Sequence, residues 1–393
     1  MKTRLFALFM IYFVSTSSFC QSVQRGCVSD GTGQPISLAT VYINGTTNGT
    51  KTDAGGCFEL QGLTFPCQLV VSHLGYFTKW IMINEPSKKP LSISIKEKTI
   101  QLSEVSVIGK SQRTKLVRQF KEAFLGSDNW GNAAKLLNDS VLVFHLAYNP
   151  DTVPDGDYSR RLTVSAAVPL IIDLPLLGYK LRIDLDTFAL TDLKATVHKK
   201  DSARNIFVPR KSMCYYAGFY YFKPYEEISP SHLKKIERNR LNAFYNSREH
   251  FSWALYHAKL KKNGFLLIKQ TYDSISNKLS LTDVSLDSCF RYDGKGHLLV
   301  TGLKDQTFQI HYFCDLAGKP VDLTKKDPEN VLSYFDVFSR FYKPEYRSYL
   351  TFTNNSCTID KDGLIPDNSI AFGGKAGEKK VGSTLPNDYR PGI

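Results

Sequence analysis

The stretch that decides the fold of the N-terminal part runs over residues 39–60 and reads ATVYINGTTNGTKTDAGGCFEL. Val41 and Ile43 flank a tyrosine, and Phe58 and Leu60 flank a glutamate, so apolar and polar positions alternate in short runs. Asn-Gly and Gly-Gly pairs between such runs are typical of tight turns. From residue 23 to 95 turn signals return about every 8–12 residues, which predicts a small antiparallel β-sandwich.

The same part of the chain carries a family pattern. The pattern consists of Gly26-x-Val28-x-Asp30-x-x-Gly33-x-Pro35-Ile36, Ala39-x-Val41-x-Ile43, Gly49-Thr50-x-Thr52-Asp53-x-x-Gly56-x-Phe58 and Ser72-x-Leu74-Gly75-Tyr76. It resembles the carboxypeptidase-like regulatory domain, a transthyretin-like sandwich of bacterial envelope proteins. The resemblance implies a non-catalytic module over residues 21–98. No H-x-x-E pair of the zinc carboxypeptidase type occurs, so the family name implies no peptidase activity.

The first twenty residues have the layout of a secretory signal peptide. Lys2 and Arg4 precede an apolar run over residues 5–14, and small hydroxyl residues follow. The alternative is a lipoprotein that retains an acylated Cys20. Either way, we expect an exported protein that is periplasmic or associated with the outer membrane.

Composition excludes several classes of protein. The 393 residues are 42% hydrophobic, which is too balanced a mixture for a disordered, collagen-like or coiled-coil chain. The net charge is +13. An exported basic protein meets anionic lipid headgroups and polysaccharides before nucleic acid, so we expect no nucleic-acid partner.

Cysteines give a second expectation for the sandwich. No C-x-x-C pair occurs, which argues against a zinc ribbon or a thioredoxin-like site. Cys27, Cys57 and Cys67 share one small domain in an oxidising compartment and are therefore disulfide candidates. Their pairing cannot be read from the spacing.

Residues 99–130 are predicted to link two domains by a strand and a helix. The strand, Leu102-x-Glu104-Val105-x-Val107, is similar to the one that joins this type of domain to the plug of TonB-dependent receptors. That similarity implies a possible association with an outer-membrane receptor. Apolar residues at helical spacing predict a helix over Lys115–Leu125, with Gly126 as its cap.

Residues 131–393 predict a larger β-rich α+β domain, so the fold class of the whole chain is mainly β. Predicted strands cover 141–147, 161–168, 179–188, 215–222, 265–272, 298–302, 308–314 and 349–353. The alternation over Tyr179–Phe188 predicts one buried face and one solvent-exposed face that includes Asp184.

A helical hairpin is predicted near residues 230–263. Ser229 is expected to cap a first helix that begins at Pro230. A second helix is expected to begin at Asn246, with Glu249 completing a capping box, and to end at Gly264. The residues predicted to be buried are Leu233, Ile236, Phe244, Phe251, Leu255 and Ala258.

The hairpin also carries a second family pattern. It reads Arg240-x-x-x-x-Tyr245-Asn246-Ser247-x-x-His250-Phe251-x-x-x-Leu255, with Leu385-Pro386-x-Asp388-Tyr389-x-Pro391 near the end of the chain. It resembles the C-terminal half of exported proteins that carry the same regulatory domain and whose activity is not known. Those chains have Gly-Ser where this one has Asn246-Ser247.

Two hypotheses about function follow. The first is a non-enzymatic envelope protein that binds a protein or glycan, without metal or cofactor. Its candidate binding residues are Arg240, Tyr245, Ser247, His250 and Trp253. The alternative is an exported hydrolase active around Arg240, Tyr245, Ser247 and His250, although no G-x-S-x-G elbow occurs. His250 and His257 are seven residues apart, a rise of ~10.5 Å along a helix, which is too far for one metal ion alone.

Overall fold

The computed structural model describes residues 23–87, 89–98, 109–148, 158–193, 212–273, 278–284, 289–294, 296–326, 330–361, 363, 365 and 369–391. The predicted signal peptide and the predicted linker strand at 102–107 lie outside these ranges. Strands outnumber helices in the described chain and pair largely antiparallel, which confirms the predicted mainly β fold class. No helix within the described ranges is long and apolar enough to cross a bilayer.

The N-terminal part is a two-sheet sandwich. Its strands are β1 (Gln24–Ser29), β2 (Thr40–Ile43), β3 (Gly49–Lys51), β4 (Cys57–Leu60), β5 (Cys67–Ser72), β6 (Lys79–Ile83) and β7 (Leu91–Ser94). One sheet has the order β4-β1-β7 and the other β3-β2-β5-β6. Strands β6 and β7 are therefore edge strands.

The inward faces of both sheets form a separate core. Val41 and Leu69 are fully buried there, and Phe58 crosses from the opposite sheet. Gly26 on β1 lies against the Phe58 ring, and a Cβ at this position would be 2.7 Å from Phe58 Cζ. The strand therefore requires glycine at position 26 for close packing.

Two helices follow the sandwich. Helix α1 (Lys110–Leu125) begins five residues earlier than predicted and ends at Gly126 as expected. Its buried face includes Phe120 and Phe124, which pack against Phe188. Helix α2 (Asn129–Ala133) begins after Asp128, whose side chain accepts a hydrogen bond from Gly131 N.

A six-stranded antiparallel sheet forms the centre of the C-terminal region. Its strands are β8 (Lys135–Leu136), β9 (Leu142–Tyr148), β10 (Tyr158–Ala166), β11 (Leu170–Leu174), β12 (Tyr179–Leu193) and β13 (Ser212–Pro224). The order is β8-β11-β12-β10-β9, and β13 pairs with the other edge of β12. The long strand β12 thus holds the sheet together.

The predicted helical pair comes next, followed by two further sheets. The elements are α3 (Pro230–Phe244), α4 (Arg248–Tyr256), β14 (Phe265–Asp273), β15 (Lys278–Asp283), β16 (Phe290–Tyr292), β17 (Leu298–Thr301), β18 (Thr307–Tyr312), α5 (Val331–Val337), β19 (Ser348–Phe352), β20 (Ser356–Ile359), β21 (Ile370–Gly373) and α6 (Gly374–Glu378). The sheets have the orders β15-β14-β18-β19-β21 and β16-β17-β20.

The sandwich is docked on strand β13. Gly45 N donates to Tyr220 O at 2.7 Å, and Phe222 N donates to Thr46 O at 3.0 Å. The turn after β2 therefore pairs with β13 as a short parallel bridge.

The C-terminal motif that begins at Leu385 forms hydrogen bonds to the same turn. Asn387 N donates to Gly45 O at 2.7 Å, and Asp388 accepts from Thr47 N and Oγ1 at 3.0 and 2.6 Å. The pattern that begins at Leu385 thus has a structural role in joining the two parts of the chain.

This docking corrects one prediction. Leu181 and Ile183 on β12 face the core, as expected, but Asp184 on the opposite face is only 8% exposed. It is covered because Tyr42, Ser72 and other sandwich residues lie over it. The alternation of residues in β12 identified the face of the strand that packs on the core. It could not show that the sandwich covers the opposite face.

Candidate functional site

The sharpest bend in the helical pair lies between α3 and α4. Tyr245 caps the end of α3, and Asn246 has φ +54°, in the left-handed region. Glycine and asparagine are the residues that adopt this conformation most readily. The backbone therefore accommodates asparagine at a position where glycine would also fit.

The second helix does not begin where the sequence predicts. Ser247 is its N-cap, because Ser247 Oγ accepts a hydrogen bond from His250 N at 3.0 Å. The capping-box assignment to Asn246 was wrong, since Asn246 is in the left-handed conformation and not in the extended conformation of an N-cap.

His250 connects the two helices from inside the core. Its ring is fully buried, and burial lowers its pKa to about 3, so it is neutral. Nδ1 accepts from Asn246 N at 3.3 Å, which leaves the proton on Nε2 to donate to Asn263 Oδ1, also at 3.3 Å. Both ring nitrogens thus bond to groups other than the Ser247 hydroxyl.

Arg240 and Trp253 also have neighbours of their own. Arg240 Nε donates to Leu177 O at 2.8 Å, and its guanidinium lies 4.1 Å from the Tyr179 ring centroid. Trp253 is partly buried against the main core, with Lys259 Nζ 5.7 Å from its ring centroid. Arg240 therefore supports the turn before β12.

The ends of the helical pair differ from prediction. Helix α4 ends at Tyr256, well before Gly264, and Ala258 is exposed with φ +51°. Leu233, expected in the core, is 38% exposed on the first part of α3. The other four residues predicted to be buried, including Ile236 and Phe251, are in the interior.

Tyr245 lies at a cleft between separate segments of the C-terminal region. The cleft has a volume of about 480 Å³. It is lined by the α1–α2 corner, the α3–α4 corner and the segment that contains α6. Tyr312 and Tyr346 lie on its remaining side. Small-ligand sites have volumes of about 300–1,000 Å³, so the cleft is of suitable size.

A lysine fixes one wall of this cleft. Lys379 Nζ donates to Ala243 O at 2.6 Å and to Tyr245 O at 3.0 Å, at the C-terminal end of α3. A cation is favoured at that end of a helix by the helix dipole. Burial lowers the pKa of Lys379 to about 8. Lys379 therefore joins the α6 segment to the α3–α4 corner.

The disulfide candidates have different environments. Cys27 and Cys57 form a disulfide between the neighbouring strands β1 and β4. Cys67 is buried in the sandwich core without a disulfide, and burial raises the pKa of its thiol to about 12. No group of three or more His, Cys, Asp or Glu residues placed for a metal ion occurs among the described residues.

An exposed apolar surface lies on the sandwich, at and just before its edge strand β6. We call it the β6 surface. Its members are between 38% and 62% exposed: Leu74, Phe77, Trp80 and Met82. Trp80 and Met82 alternate along β6 and project from the same face. Strand β6 pairs only with β5 among the described strands, so its other edge is open.

Sequence reasoning missed both the cleft and the β6 surface. The cleft is built from three segments distant in the chain, of which only the α3–α4 corner carried a recognised pattern. The β6 surface had a local signal, because KWIMI places two large apolar residues at the alternate positions that an edge strand would expose.

Comparisons with known proteins agree with the N-terminal fold. Residues 24–107 match the family model of the CarboxypepD_reg-like domain, which confirms the resemblance of the sandwich. The chain is 30% identical over 171 residues to the TonB-dependent receptor SusC of Bacteroides thetaiotaomicron. It is 32% identical over 110 residues to the TonB-dependent receptor P39 of Formosa agariphila.

These relatives are much longer than the matched part. The matches cover 41% and 28% of this chain but only 16% and 10% of the two receptors. A solved structure of a Bacteroides fragilis protein of unknown function also matches, with 11% identity, 52% of this chain and 97% of that chain covered, and a TM-score of 0.17. The domain and receptor matches together support an envelope-associated protein.

Proposed function

We propose that this is a non-enzymatic, exported envelope protein that binds another envelope protein through the β6 surface. The observation that carries the proposal is the exposure of Trp80 and Met82 on an open edge strand of the regulatory-type domain. Contiguous apolar surface on a folded protein is typical of interaction sites.

The chemistry of the β6 surface suits a protein partner. Tryptophan and methionine are enriched in protein interfaces, and tryptophan is frequent among the residues that contribute most to binding. The open edge of β6 offers unpaired backbone groups to an extended segment of a partner. Lys79 and Lys98 lie near the surface, and Lys98 Nζ is 5.9 Å from the Phe77 ring centroid, so acidic residues on the partner are favoured.

The docking of the sandwich leaves this surface accessible. The turn after β2, Tyr42 and Thr78, which immediately precedes β6, contact the C-terminal region, while Trp80 and Met82 remain 50% and 38% exposed. The similarity to TonB-dependent receptors makes an outer-membrane receptor the first partner to test. The domain division at residues 21–98 and 131–393 is part of this proposal.

Site-specific photo-cross-linking in intact cells tests the proposal. A photoreactive phenylalanine at position 80 is expected to give one dominant adduct with an envelope protein. The matched control places the same residue at Glu59, which is exposed on β4 of the opposite sheet. Equal adducts at both positions, or none at position 80, would overturn the proposed role of the β6 surface.

A further inference from the structure

We propose that the cleft beside Tyr245 is a binding site for a small neutral saccharide. The inference goes beyond the protein-binding function proposed above and does not depend on it. It rests on the polar groups, the charge balance and the aromatic side chains of the cleft.

Two polar side chains of the α3–α4 corner line the cleft without a hydrogen bond to the described part of the protein. Tyr245 is 7% exposed and Asn246 is 9% exposed, and both line the cleft. Within the part of the chain that the structure describes, neither the Tyr245 hydroxyl nor the Asn246 amide makes a hydrogen bond to protein. The polar atoms of both side chains are accessible from the cleft and not fully buried, so they can bond to a ligand there.

The left-handed backbone at Asn246 is compatible with a polar side chain at the cleft. Its φ of +54° is uncommon for a residue other than glycine. Glycine would fit the bend equally well, so the backbone alone does not require an amide side chain there. An asparagine retains the bend and adds a donor and an acceptor at the wall of the cleft.

The charges of the cleft favour an uncharged ligand. Three lysines and three carboxylates line it: Lys375, Lys379, Lys380, Glu122, Asp128 and Glu378. Lys379 bonds to the end of α3 and Asp128 to Gly131 N, Lys375 Nζ lies 3.9 Å from Glu378, and Glu122 lies 3.9 Å from Arg118, so five of the six already have a partner. Lys380 alone of the six has no such partner within the described chain, so a ligand with a net charge would gain little from the cleft.

Two aromatic side chains also line the cleft. Trp130 and Tyr346 are partly exposed at the cleft. Such rings offer apolar area beside polar groups, and a sugar presents apolar C–H faces beside hydroxyls. A phosphorylated or acidic ligand would instead require an excess of cations, which this cleft does not have.

Calorimetric titration of the purified chain tests the inference. The neutral probes are trisaccharides of glucose, mannose and N-acetylglucosamine, and the charged probes are trisaccharides of galacturonic acid and of glucosamine. At least one neutral probe is expected to bind saturably and more tightly than both charged probes.

Two variants connect binding to the cleft. Tyr245→Phe removes one hydroxyl, and Asn246→Gly removes the amide while keeping the left-handed backbone. Each is expected to weaken binding about tenfold. The control Tyr148→Phe, at an exposed tyrosine on β9, is expected to leave binding unchanged. The proposal is overturned if no neutral probe binds, if a charged probe binds more tightly, or if both variants bind like the parent chain.

Discussion

The Tyr42 hydroxyl donates a hydrogen bond of 2.9 Å to Asp184 Oδ2, across the boundary between the sandwich and the six-stranded sheet. Ser72 and Thr78 of the sandwich donate to the other oxygen of the same carboxylate. Arg182 lies beside it, with Nε 3.4 Å from Oδ2. One carboxylate on β12 therefore gathers three side chains of the N-terminal domain.

Replacement of Asp184 should loosen this junction. Asp184→Ala leaves Arg182 without its carboxylate and three hydroxyls without their acceptor, so we expect a loss of about 3 kcal/mol in the free energy of unfolding. The control is Asp186→Ala, at an exposed position on the same strand, where we expect less than about 0.5 kcal/mol. Urea unfolding measures both, and equal losses would contradict the account.

A second contact between the domains should depend on pH. His297 Nε2 lies 2.6 Å from Phe65 O and Nδ1 lies 2.7 Å from Asp293 Oδ2, so both ring nitrogens face acceptors. Burial acts against the charged ring, but these two hydrogen bonds and the nearby Asp360 raise the pKa of His297 above its ordinary value. The protonated ring of His297 can therefore donate a hydrogen bond to each of these two acceptors.

Because the pKa of His297 is raised in the folded state, its contribution to stability should fall as pH rises. A raised pKa in the folded state means that the contribution of His297 is complete below the ordinary histidine pKa of about 6.5 and declines as pH rises through the folded value. We expect the parent chain to lose more stability between pH 6 and 8 than His297→Gln. His311 is a control, because burial lowers its pKa to about 4 and it stays neutral over that range. Parallel stability curves for the parent and His297→Gln would disprove the effect.

Two variants at Ser247 distinguish a role as helix cap from a role as nucleophile. Alanine at an N-cap costs about 1 kcal/mol and glycine only a few tenths, and neither has a hydroxyl. If Ser247 acts as the cap of α4, Ser247→Ala should be less stable than Ser247→Gly, while both complement a deletion strain. If it is a nucleophile, both variants should fail to complement equally. Thermal unfolding and complementation measured side by side separate the two cases.

The Cys27–Cys57 disulfide should stabilise the sandwich. It closes a loop with a sequence separation of 30 residues, for which chain-entropy arguments give about 3–4 kcal/mol. We expect the Cys27→Ser, Cys57→Ser double variant to unfold at correspondingly lower denaturant concentration. A control is Cys67→Ala, which removes a buried thiol and leaves the bond intact. Unchanged stability after loss of both bonded cysteines would contradict this account.

Local pattern predicted much of the fold, because periodicity and turn residues are local properties. The sandwich, helix α1 and strand β12 follow from the spacing of residues such as Val41, Phe120 and Leu181. Short strands such as β8 and β20 were missed, since two to four residues carry too little periodicity. The N-cap of α4 was predicted at Asn246, one position before the actual N-cap Ser247, because asparagine and serine are both common N-caps.

The candidate sites depend on contacts that no local pattern contains. Asp184 is buried only because another domain covers it, and the cleft exists only because the α6 segment returns to Tyr245. The Leu385 motif was recognised as a family pattern, yet its role became visible only through the bonds between Asp388 and Thr47.

The central claim is that the β6 surface binds an envelope protein. The most direct measurement is the amount of partner that co-purifies with the tagged chain after mild cross-linking in intact cells, compared between the parent and Trp80→Ser, Met82→Ser. The account predicts one envelope protein near equal stoichiometry with the parent and at least a tenfold loss with the double variant. Retention of the same partner by a folded double variant would contradict it.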